Sequence, residues 1–86
     1  MIVAVRSIGP LAAALGGKRV EVELPAGTEV ADLLDRLAKR SPPAAGLLGA
    51  GGRSPAQVFR AGRSLGPADP LQAGDEVDLV LAVAGG

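Results

Sequence analysis

The sequence predicts an α+β fold, a mixed sheet with one long helix packed across one of its faces. Three stretches carry that expectation. Residues 18–24 alternate, with Val20, Val22 and Leu24 on one side and Glu21 and Glu23 on the other. That is the pattern of a half-buried strand in an antiparallel pair. Val30, Leu33, Leu34 and Leu37 recur at helical spacing as a narrow apolar stripe, with Asp32, Asp35, Arg36, Lys39 and Arg40 outside it. Residues 76–83 are apolar on both sides: Val77, Leu79, Leu81 and Val83 share one face, and Val80 and Ala82 the other. A strand apolar all round belongs in the middle of a sheet.

The remaining elements follow in chain order. Ile2-Val3-Ala4-Val5 is rich in β-branched residues and reads as the first strand, broken by Ser7-Ile8-Gly9-Pro10. Residues 11–15 are Ala- and Leu-rich and stop at Gly16-Gly17, as one or two helical turns with a glycine cap do. Pro25-Ala26-Gly27 turns the chain, and Thr28 is placed to cap the long helix, with Glu29 and Asp32 near the positive end of its dipole. Ser41-Pro42-Pro43 ends that helix near Arg40. Residues 41–55 read as a long irregular loop with a short turn around 44–48, Leu47-Leu48 being its apolar anchor. Residues 57–60 and 63–65 flank Ala61-Gly62 as a small hairpin. The first and last strands are expected to pair, and one sheet face is expected to stay open.

Composition excludes most chemistry. Eighty-six residues make one small domain, marginally stable by about 4–13 kcal/mol. Nine basic and nine acidic residues cancel, and Phe59 is the sole aromatic, which argues against nucleic acid as a partner. No apolar run reaches the length of about 20 residues that spans a bilayer, and no signal peptide follows Met1, so a cytoplasmic protein with no membrane partner is expected. The chain has neither Cys nor His, which removes thiol nucleophiles, imidazole bases and any usual zinc site, so no bound metal is expected. Adjacent Asp75 and Glu76 point to opposite faces of a strand and make no catalytic dyad. Catalysis by the chain's own side chains would have to rest on carboxylates, Lys18, Lys39 or hydroxyls, and no catalytic residue of its own is expected among them.

What remains is the C-terminus. The last apolar strand runs into Ala82, Val83, Ala84, Gly85 and Gly86, whose side chains shrink from Val83 to Ala84 to none and carry no charge. Extended, those five residues span at most roughly 17 Å, enough to thread a narrow cleft. The expected organisation is a domain over residues 1–81 and a flexible Gly-Gly tail over 82–86, with the Gly86 carboxylate as the working group. Phe59 is the natural hot-spot anchor of a partner surface if exposed, together with Val80. Asp75 and Glu76, within the acidic group Asp69, Asp75, Glu76 and Asp78, could steer a basic partner towards the tail, although ordinary solvated surface is the simpler reading.

Three stretches carry a family resemblance: Leu24-Pro25-Ala26-Gly27-Thr28-Glu29-Val30-Ala31-Asp32-Leu33-Leu34, the turn Pro70-Leu71-Gln72-Ala73-Gly74-Asp75-Glu76-Val77, and the ending Val83-Ala84-Gly85-Gly86. With the order of elements, they resemble the β-grasp, ubiquitin-like sulfur carriers. Within that family the chain is most similar to the molybdopterin synthase small subunit. Carriers of that type often have aromatic residues after the first strand and in the last one; here those regions read Arg6-Ser7-Ile8 and Leu79-Val80. Carriers of the thiamin type usually lack a segment like residues 11–17, so length favours the molybdenum type.

The resemblance implies a β-grasp sheet and chemistry done by partners on this chain. An adenylating, ubiquitin-activating-like enzyme uses ATP to turn the Gly86 carboxylate into an acyl-adenylate, and sulfur delivery then gives a thiocarboxylate. No cofactor is bound by the chain itself. The molybdopterin synthase large subunit, or another sulfur-acceptor enzyme serving thiazole, tRNA or cysteine, receives the sulfur, with residues 82–85 threading into partner active sites. A ubiquitin-like modifier joined to lysines through Gly86, and a plain β-grasp binding module, are the alternatives.

Overall fold

The computed structural model describes residues 1–48 and 56–81. In chain order they form β1 (Ile2–Arg6), α1 (Gly9–Leu15), β2 (Arg19–Glu23), α2 (Val30–Arg40), α3 (Pro42–Leu48), β3 (Ala56–Arg60), β4 (Arg63–Leu65) and β5 (Glu76–Leu81). The strands lie in one sheet in the order β2-β1-β5-β3-β4. The expected pairing of first and last strands is present and parallel, with Val5 beside Val77. The other neighbours are antiparallel. The sheet is therefore mixed, with β5 at its centre.

The helix-facing side carries the core. Val3, Val5, Val22, Val58, Val77 and Leu79 of the strands pack with Val30, Leu33 and Leu37 of α2 in one buried cluster. Val30, Leu33 and Leu37 are at most 2% exposed, while Leu34 at the edge of the stripe is only partly buried, and each fully buried leucine contributes roughly 1.5–3 kcal/mol. The turn between β3 and β4 has Ala61 at φ 52° and Gly62 at φ 79°. Two positive φ values in a two-residue hairpin turn twist the backbone to match the strands, and the second falls to the residue without a Cβ.

Two local expectations are corrected. Residues 42–48 form helix α3 rather than an irregular stretch. Pro42 and Pro43 stop α2 but also begin α3, because the first turn of a helix has no use for its N–H groups and the proline φ is already helical. Ala44 and Leu48, one turn apart, are buried in the common core and hold this short helix down. Residues 49–55 of the expected loop, and 82–86 of the expected tail, lie outside the described residues.

The second correction concerns the start of α2. Its N-cap is Glu29, not Thr28. Asp32 Oδ2 accepts from the Glu29 backbone at 3.3 Å, while Thr28 Oγ1 donates back to the Pro25 carbonyl at 2.7 Å. The segment before β5 is responsible. Val30 and Ala31 donate their orphan N–H groups to the carbonyls of Asp69 and Pro67, and Leu71 donates to Thr28. A tertiary contact thus caps the helix where a side chain was expected to.

Candidate functional site

Strand β5 leads into the C-terminal residues, and its anchoring is the first fact of the site. Hydrogen-bonded ladders flank it on both sides, from β1 and from β3, the latter reaching as far as Ala56 beside Leu81. Val77 and Leu79 are buried, so whatever follows Leu81 departs from a fixed point. Because β1 and β5 are parallel, the end of β1 and the residues after it, Ser7 and Ile8, lie at this same end of the sheet.

The face of β5 turned away from α2 carries Glu76, Asp78 and Val80. Gln57 and Phe59 stand beside Val80 and Asp78 on β3, and Ser64 beside Phe59 on β4. Val80 is 44% exposed, Ile8 78% exposed, and Phe59 is half-buried. Of the sequence-predicted surface residues, Phe59, Val80 and Glu76 thus share one open face. Asp75 lies elsewhere. Its Oδ2 accepts from Arg60 Nη1 at 2.7 Å and from the Gln72 backbone at 2.8 Å, fastening the turn before β5 to β3. Asp69 is likewise local, accepting from the Gly66 backbone. Gly86 and residues 82–85 are outside the described residues.

Next to the apolar patch, the open face bears a ladder of alternating charge. Arg6 makes a two-pronged contact with Asp78 (Nε–Oδ1 2.7 Å, Nη2–Oδ2 3.1 Å) and a third contact with Glu76 at 3.1 Å. Arg19 continues it to Glu76 at 3.2 Å and Glu21 at 3.4 Å. The hydrogen bond to Asp78, then the charges of Asp78 and Glu76, hold the Arg6 guanidinium above its ordinary range. Sequence reading passed over Arg6 and Arg19. The signal was present in the period-two charges of Arg19-x-Glu21 and Glu76-x-Asp78, but it needs the β1–β5 pairing to become a site. Ile8 was passed over as well, being a lone apolar residue ahead of a Gly-Pro turn.

No side chain of this face is arranged as a nucleophile with a base, and the described residues hold no cluster of metal-ligating groups. Among them no helix is long and apolar enough to cross a membrane. The arrangement can present a chain end and a recognition surface beside it.

A model of the ThiS family matches residues 5–86, a span that includes the terminal Gly-Gly. No curated protein sequence matches the chain significantly. Among solved structures, SAMP1 from Haloferax volcanii is 27% identical, with both chains covered over 100% and a TM-score of 0.82. A putative molybdopterin converting factor, subunit 1, from Pyrococcus furiosus is 26% identical over 95% of this chain and 98% of that one, with a TM-score of 0.81. The HVO 2177 protein of Haloferax volcanii is 27% identical over 100% of this chain and 87% of that one, with a TM-score of 0.85. The expected β-grasp, ubiquitin-like architecture is the fold of this chain.

Proposed function

The chain belongs to the ThiS family, as a sulfur carrier or ubiquitin-like modifier of that type, and on this premise we propose that it is the sulfur-carrying small subunit of a molybdopterin synthase. One observation carries the reading. The central strand of the sheet, β5, paired on both sides, leads directly into five residues without charged side chains that end in Gly85-Gly86, and the family match runs to the last of them.

In this mechanism the Gly86 carboxylate attacks the α-phosphate of ATP in an adenylating partner, releasing pyrophosphate and forming an acyl-adenylate. A sulfur nucleophile then displaces AMP, leaving a C-terminal thiocarboxylate. The chain's own residues present and orient. β5 fixes the thread, the small side chains of residues 82–86 admit it to a cleft, and Phe59, Val80 and Ile8 offer a partner apolar contact beside it. The thiocarboxylate sulfur passes to a pterin precursor in the large subunit, and water hydrolyses the C-terminal acyl group from that sulfur, supplying the oxygen that restores the carboxylate for another cycle. The likeness to a protein named as a molybdopterin converting factor subunit supports this acceptor over others.

Reconstitution tests the acceptor. Thiocarboxylated chain mixed with a molybdopterin synthase large subunit and pterin precursor is expected to yield the dithiolene. Absence of product, with the thiocarboxylate intact, would reject this acceptor. A second reading, protein modification, is favoured by the likeness to SAMP1. It predicts Gly-Gly remnants on lysines of other proteins when the chain is expressed in its native cell.

A further inference from the structure

The sheet has two edges, and they differ. β4 is three residues long, whereas β2 presents five. Met1 and Leu24 exchange backbone hydrogen bonds at 2.8 Å, and Ser7 N–H donates to the Lys18 carbonyl at 2.9 Å. In the observed register, Val3 beside Val22 and Val5 beside Val20 are therefore the inward, hydrogen-bonded pairs. The N–H and C=O groups of Arg19, Glu21 and Glu23 point away from β1, along the free edge. Among the described residues a single group reaches them: Arg40 Nη1 donates to the Glu21 carbonyl at 3.3 Å. A surface groove bounded by Val22, Glu23, Asp32, Arg36, Lys39 and Arg40 separates the polar side of α2 from this strand.

We propose that the β2 edge pairs antiparallel with the β2 edge of a second copy of this chain, centred on Val20, to make a ten-stranded sheet across a two-fold axis. Charge selects the occupant and the register. Identical edges related by a two-fold axis must run antiparallel. With outward groups facing each other, the partner strand can be centred on Val20, Glu21 or Val22. Centring on Val22 opposes Glu21 to Glu23 twice, and centring on Glu21 opposes Arg19 to Glu23 twice but sets Glu21 against itself between them. Centring on Val20 opposes Arg19 to Glu21 twice and places no like charges together, with the two Val20 side chains adjacent on the helix side. Opposite charges directly across two strands stabilise the pair and like charges destabilise it. Arg40 competes for one of the edge carbonyls and so holds the association weak and reversible.

Sedimentation equilibrium of the full chain, from micromolar to millimolar, tests this. A concentration-dependent monomer–dimer equilibrium is expected. Glu21→Pro removes an outward N–H without touching the β1 ladder, as proline is tolerated on a strand edge, and is expected to abolish the dimer while circular dichroism shows a folded monomer. Arg19→Glu and Glu21→Arg are each expected to weaken association roughly tenfold, and the double reversal to restore it. Arg40→Met is expected to tighten it. A wild type that stays monomeric throughout overturns the proposal. So does a dimer that is indifferent to both Glu21→Pro and the charge reversals.

Discussion

On the helix side of the sheet, Val3, Val5, Val22, Val58, Val77 and Leu79 are at most 6% exposed. On the other side of the same strands, Arg6, Arg19, Glu21, Glu76 and Asp78 stand in solvent with 37–59% of each side chain accessible. Period-two alternation makes both from one set of strands. The buried side supplies nearly all the stability, because exposed ion pairs contribute little after desolvation and side-chain ordering. The open side is therefore free to be shaped by recognition, which suits the proposed role of a carrier whose terminal carboxylate reacts inside partners.

Mutations should separate the two sides. Leu33→Ala, at the centre of the buried stripe, is expected to cost about 2–5 kcal/mol in urea unfolding, enough to threaten a domain of this size. Next comes Asp75, whose carboxylate is 15% exposed and accepts from both Arg60 and the Gln72 backbone. Asp75→Ala is expected to cost about 1–3 kcal/mol by leaving those donors unpaired. Were it silent, the turn before β5 would not depend on this clamp. Ser7 should move in the other direction. Its Oγ is buried with no hydrogen-bond partner among the described residues. Ser7→Ala is expected to stabilise by about 1 kcal/mol in the same assay. Smallest in stability are changes on the open side. Val80→Asp is expected to shift unfolding by no more than about 0.5 kcal/mol while raising the adenylating enzyme's KM for the chain. An equal loss of stability would mean that Val80 belongs to the core.

The same contrast explains what could be read from residues alone. The α2 stripe, the alternation of β2 and the central β5 are patterns within single elements, and each is where it was expected, although the second face of β5 carries the exposed Glu76 and Asp78 rather than an apolar surface. Ala61-Gly62 signalled its turn despite lacking Asn or Asp. The Thr28 cap failed because residues 67–71 arrive from far along the chain to take the helix N–H groups. Helix α3 was missed because Pro42-Pro43 has the same local meaning at the end of one helix and the start of the next. The Arg6–Asp78 contact joins residues 72 apart in sequence, so its charges were visible but their meeting was not.

The central claim is that Gly86 is the one reactive group. Intact-mass spectrometry of the chain after incubation with an adenylating partner, ATP and a sulfide source measures it directly. The expected result is a gain equal to one oxygen exchanged for sulfur, confined to the C-terminal peptide, and absent from a chain lacking Gly86 that melts at the same temperature. An unchanged mass in the wild type, or sulfur incorporated elsewhere, would contradict it.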